Sequence, residues 1–154
     1  MMFISIIVIL ISVRTCIAQA ATCKDDGNVD VDWYFVYKPP NVLSSKLLKS
    51  GGNPAWAPSG ANINQNAGHS VVLTMSRILL VRSAANEAAW FVHTVPNFLA
   101  YLSAYSWPQA ETPKGHMFLC ISFSSALLNS VGKAIRYQEP YVYVNNLPAA
   151  ILNQ

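Results

Sequence analysis

Residues 29–37 carry an apolar side chain at every second position: Val29, Val31, Trp33, Phe35 and Tyr37. Asp30 and Asp32 open the other face. A period of two fits a half-buried strand and misfits a helix. Lys38-Pro39-Pro40 ends it, because proline has no amide hydrogen to give to a ladder. Such a strand needs partners. Residues 71–81, 89–95, 117–123 and 141–144 read as strands from their Val, Ile and aromatic content. Residues 41–68 are rich in Asn, Gly, Pro and Ser and read mostly as loop, with a short helix expected over 44–48. A loop of that length points to a functional loop or to missing structure. A second short helix is expected from Ser124 or Ser125 through Lys133, with Gly132 near its end. No internal repeat or low-complexity tract stands out. Several strands with few helices between them give an α+β class, a mixed β-sheet with flanking helices.

The chain has 154 residues, 53% hydrophobic and 11% charged, which suits one domain with a sizeable core. Part of the apolar excess belongs to residues 1–20, read as a secretory signal peptide. Residues 3–13 are an apolar run too short to span a bilayer comfortably, and Ala18-Gln19-Ala20 is a small-x-small cleavage site. The folded domain is then residues 21–154, with no membrane association after cleavage expected. The sequence holds ten basic and seven acidic residues; losing Arg14 with the signal leaves nine against seven. That excess is too small to argue nucleic-acid binding by charge alone. Cys23 and Cys120 remain after cleavage. An even pair in a secreted chain suggests one disulfide, the alternative being two unrelated thiols. Closing so long a loop stabilises by about 4–5 kcal/mol in the chain-entropy picture. No Asn-x-Ser/Thr sequon occurs.

Few residues here can do chemistry. His69 follows Gly68 in a polar loop and precedes an apolar run, so its ring can face a cleft as nucleophile or acid/base. An ordinary surface histidine is the alternative. His93 lies beside Trp90 and Phe91 and reads as a hydrogen-bonded structural residue. His116 follows Lys114-Gly115 in a turn and reads as a surface residue. These histidines and cysteines lack metal-ligand spacing, so no metal and no cofactor are expected. Asp30 and Asp32 share a face and could pair as acid and base, although a solvated face accounts for them as well. Hydrolase glycine-serine and phosphate-loop signatures are absent.

Four segments in order resemble the deoxyribonuclease II family. They are Cys23 to Gly27 followed by Val31-Asp32-Trp33-Tyr34-Phe35-Val36-Tyr37-Lys38-Pro39-Pro40; Trp90-Phe91-Val92-His93-Thr94-Val95-Pro96-Asn97-Phe98; Ala104-Tyr105-Ser106-Trp107-Pro108; and Phe118-Leu119-Cys120-Ile121-Ser122-Phe123. The resemblance spans most of residues 21–154 but about the N-terminal half of a full family member. It implies one half of a phospholipase-D-like fold and a secreted or lysosomal location. It also implies DNA as substrate, hydrolysed at acid pH without metal to 3′-phosphate products. In that chemistry two His-x-Lys motifs meet: one histidine attacks phosphorus, the other protonates the leaving oxygen, and the lysines hold the phosphate. A nucleophilic imidazole divides the displacement into two steps and nearby cations stabilise phosphoryl oxygens. The family's paired half-cystines also support a Cys23–Cys120 bridge.

Gly68-His69-Ser70 falls where the family has Gly-His-x-Lys-Gly, so the resemblance makes His69 the catalytic candidate. Position 71 is Val71, not lysine, which suggests a lost Lys-Gly pair or foreign sequence over 71–78 from a splice variant or gene-model error. The segment 41–68 looks shorter than the family's. No second His-x-Lys precedes Gln154, and neither His93 nor His116 has the pattern. The expectation is a deoxyribonuclease II-like chain that is inactive alone unless a second chain supplies the other motif. The alternative is a non-catalytic secreted module binding DNA or protein.

Overall fold

The structure, a computed structural model, describes residues 22–65, 68–75, 87–96 and 105–137. The signal expected at 1–20 and the strand expected at 141–144 lie outside them. Strands are β1 (Cys23–Lys24), β2 (Asp30–Val31), β3 (Trp33–Lys38), β4 (Lys46–Lys49), β5 (Ala57–Pro58), β6 (Glu87–His93) and β7 (His116–Ser124). The helices are α1 (Ser70–Met75) and α2 (Leu128–Arg136), the latter following a 3-10 turn at Ser125–Leu127. β1 and β2 pair by themselves, and the larger sheet runs β5-β4-β3-β7-β6. The class is α+β, as expected, and every recorded pairing is antiparallel.

β3 is the axis of the sheet. Its aromatic and β-branched residues suit a pleated surface with neighbours on both sides, and it ends at Lys38 against the two prolines. β7 lies beside it, with Tyr34 opposite Cys120 and Val36 opposite Phe118. Cys23 is bridged to Cys120 at a Cα–Cα distance of 5.8 Å. The bridge draws β1 onto the face carrying Tyr34, Val36, Phe118 and Cys120, all fully buried. Each large apolar side chain taken from water there contributes about 1.5–3 kcal/mol.

That placement reverses the expected face of residues 29–37. The even-numbered residues of β3 are inside. Val29 and Tyr37 are exposed, and Phe35 is half-buried with its ring edge-on to Trp56 at 5.8 Å. Both faces of β3 are apolar enough to be core, and the disulfide-bearing neighbour selects between them.

Three other expectations are corrected. Residues 44–48 form no helix; Lys46–Lys49 is a strand, with Leu47 buried, clamped between β3 and β5. Segment 41–68 is therefore partly sheet. The run after His69 begins as helix α1, not strand. Its Val71 and Val72 are buried, Asp26 Oδ1 accepts the Ser70 N–H at 2.6 Å, and Thr74 Oγ1 accepts the Lys24 N–H at 3.1 Å. These long-range bonds outweigh the strand preference of Val. Residues 76–81 of that run are outside the described set. Finally, α2 passes through Gly132 and ends at Arg136. No helix among the described residues is long and apolar enough to cross a membrane.

Candidate active site around His69

Gly68 has φ +74°, a left-handed turn open to glycine, and a Cβ there would sit 3.4 Å from Ala61. The turn delivers His69 to the start of α1, where its carbonyl accepts the Leu73 N–H at 2.9 Å. His69 is thus the capping residue, and its own Nδ1 accepts the Val71 N–H at 3.1 Å. Nε2 lies 2.8 Å from Ser45 Oγ, and that hydroxyl donates to Ser59 Oγ at 2.9 Å. Ser45 precedes β4 and Ser59 follows β5, and the Ser59 N–H donates to the Ser45 carbonyl at 2.9 Å. The serine pair therefore extends the β4–β5 ladder up to the imidazole.

His69 is fully buried, not at the surface. Burial lowers its pKa from 6.5 to about 4, and the nearby Asp26 carboxylate opposes that only in part. Asp26 holds the site's frame together, accepting the N–H of Gly60 at 2.8 Å as well as that of Ser70. Tyr34 lies beneath, its hydroxyl donating to the Ser70 carbonyl at 3.4 Å. Desolvation pushes its pKa up well beyond the ordinary phenol value. Val71 packs in the hydrophobic core and is fully buried.

His116 stands in a different setting and corrects the surface expectation: it is 3% exposed at the start of β7. Its Nε2 is 3.1 Å from Glu111 Oε2, Nδ1 is 3.4 Å from Thr94 Oγ1, and Trp107 meets it edge-on at 5.8 Å. Glu111 also takes Lys114 at 2.9 Å. The hydrogen bond from Lys114 is the largest influence on Glu111 and, with the charges of Lys114 and His116, holds its carboxyl below the usual value against burial. Lys38 is buried alongside and donates to the carbonyls of Pro39, Thr112 and Lys114 at 3.1, 2.9 and 2.7 Å. Desolvation lowers its pKa, countered by Glu111. His93 is half-buried and packs on Phe91 and Phe118, consistent with a structural residue; burial lowers its pKa too.

Asp30 and Asp32 line an open cleft of about 430 Å³ with Thr22, Glu87, Ser122 and Ser124. Both are exposed, and Asp30 pairs with Lys24, as a solvated face would. Neither His69 nor its ring's hydrogen-bond partners Ser45 and Val71 line that cleft. Among the described residues no His, Cys, Asp and Glu group could hold a metal.

The deoxyribonuclease II family model matches residues 57–154. The chain belongs to the deoxyribonuclease II family. It is 36% identical to Deoxyribonuclease-2 of Caenorhabditis elegans, with 84% of this chain and 52% of the relative covered. It is 25% identical to Plancitoxin-1 of Acanthaster planci (95% and 53% covered) and 26% identical to Deoxyribonuclease-2-alpha of Sus scrofa (79% and 45%). The chain spans about half the length of the curated relatives it matches. The matches to the first two run over 197 and 190 residues against 154 in the chain, so those relatives hold residues within the matched span that this chain lacks. No solved structure matches.

Sequence reasoning selected His69 in this family's chain and missed Ser45, Ser59 and Asp26. They lie 24, 10 and 43 positions away in loops whose composition marks them only as polar. It also missed that Lys38, Glu111 and His116 meet, because that contact depends on β3 pairing with β7.

Proposed function

We propose that this chain carries the first-histidine half of a deoxyribonuclease II site. In this reading His69 is the nucleophile on DNA phosphodiesters, with metal-independent hydrolysis and 3′-phosphate products. The carrying observation is the family match together with His69 directly after Gly68 at the head of α1. The remaining members of the reaction, a second histidine and phosphate-holding lysines, would come from a second chain or further sequence. The 154 residues alone are then inactive. Secretion or delivery to lysosomes by the signal at residues 1–20, with residues 21–154 as the partial domain carrying half of a phospholipase-D-like fold, completes the proposal.

The test is plasmid nicking in EDTA at about pH 5, where histidine chemistry is favoured. The chain alone is expected to leave the plasmid intact. Mixed with the C-terminal half of the Caenorhabditis elegans relative it is expected to nick, and His69→Ala is expected to abolish this. Nicking that survives His69→Ala contradicts the role of His69.

A second reading is a non-catalytic module that binds DNA or protein. The full burial of His69, with Val71 where the family has lysine, supports it. Retained DNA binding with no nicking in the reconstituted mixture selects this reading.

A further inference from the structure

The hydrogen bonds around His69 have fixed directions. A backbone N–H can only donate, so Nδ1, facing the Val71 N–H at 3.1 Å, must present its lone pair. In the neutral ring the proton then sits on Nε2, which donates to Ser45 Oγ at 2.8 Å. Ser45 passes its own hydrogen to Ser59 at 2.9 Å. Every donor in this chain meets an acceptor, and the polarity runs one way from the helix amide to Ser59.

We propose that Ser45 is a positioning residue that, with the Val71 amide, holds His69 as the Nε2–H tautomer. In this resting state neither ring nitrogen offers a free lone pair. Nδ1 spends its lone pair on the helix, and Nε2 is a donor. Protonation to imidazolium is opposed as well, because it would set an N–H on Nδ1 against the Val71 N–H. Attack through Nε2 therefore requires the ring proton to pass to Nδ1, which ends the Val71 N–H contact, and the Ser45 contact to break. Both the serine pair and the first turn of α1 therefore give up a hydrogen bond before Nε2 can attack.

The consequence for catalysis rests on the phosphodiesterase reading of His69, whereas the tautomer does not. The test is long-range proton–nitrogen NMR on histidine-labelled protein without DNA, between about pH 5 and about pH 7.5, the span in which a free imidazole titrates. His69 is expected to show a pyrrole-like Nε2 and a pyridine-like Nδ1 throughout. Ser45→Ala is expected to shift the Nε2 resonance and admit the Nδ1–H form, and Ser45→Thr, which keeps the hydroxyl, to restore the original pattern. Should Ser45→Ala fail to fold, Ser59→Ala is expected to move the same resonance by a smaller amount. A protonated Nδ1 in the unaltered protein, or an Nε2 resonance indifferent to the serine variants, overturns the proposal. Failure of the nicking assay leaves these results unchanged, so the two readings fail separately.

Discussion

His69 and His116 are both buried imidazoles, 0% and 3% exposed, with opposite surroundings. Among the described residues the His69 ring is hydrogen-bonded to a backbone N–H and a serine hydroxyl, and its pKa is driven down to about 4. His116 faces a carboxylate, within a group of two lysines and Trp107. The first arrangement holds a neutral ring at the head of a helix beside the end of the β4–β5 ladder. The second ties β7 to the turn at residues 108–115. Burial alone does not distinguish the two histidines; their partners do.

The largest effect is expected at Val71, buried in the first turn after His69. Val71→Lys places an ammonium in the core and should lower unfolding stability by about 4 kcal/mol, the scale of an unpaired buried charge. Urea unfolding measures it. Unchanged stability would mean that a side chain at position 71 can reach solvent.

Next comes the acid sensitivity of His69. Its folded-state pKa lies below the unfolded value of 6.5. Between pH 6.5 and about 4 the unfolded chain therefore takes up a proton that the folded chain refuses. Stability falls with pH across that window by on the order of 3 kcal/mol and levels below it. In His69→Asn this part of the slope should vanish, whatever the starting stability.

Lys38→Met tests the other site. It leaves three carbonyls without their shared donor and should cost about 2 kcal/mol by thermal or urea unfolding. Glu111→Gln should have a smaller effect with a different pH signature. The Glu111 carboxyl is held below its ordinary 4.5, so its stabilisation is complete above that value and is lost as pH falls through the lower folded value. The Tm deficit of Glu111→Gln should thus persist at neutral pH and close only under stronger acid. The two sites then lose stability in separate windows, His69 above about pH 4 and Glu111 below 4.5.

Local pattern was enough to find β3, β6 and β7, because their runs and stops are contiguous in sequence, while the Cys23–Cys120 bridge followed from the even cysteine count and the family resemblance. It was not enough to choose the buried face of β3, where Trp33 and Phe35 compete with Tyr34 and Val36 and the disulfide decides. β4 was hidden by its polar flanks, since four residues between two partner strands need no longer hydrophobic run. Val71 and Val72 pointed to strand, but a cap from Asp26, 44 residues before the helix start, made a helix. His69 was legible through its glycine and through resemblance. Its serine clamp and the Glu111–His116 pair were not, since they arise only when distant segments meet.

The most direct measurement is the NMR titration of the His69 ring in the folded chain. A buried, neutral His69 held by Ser45 and Val71 predicts no protonation until pH approaches about 4. A midpoint near the ordinary 6.5 would contradict it and return His69 to the surface.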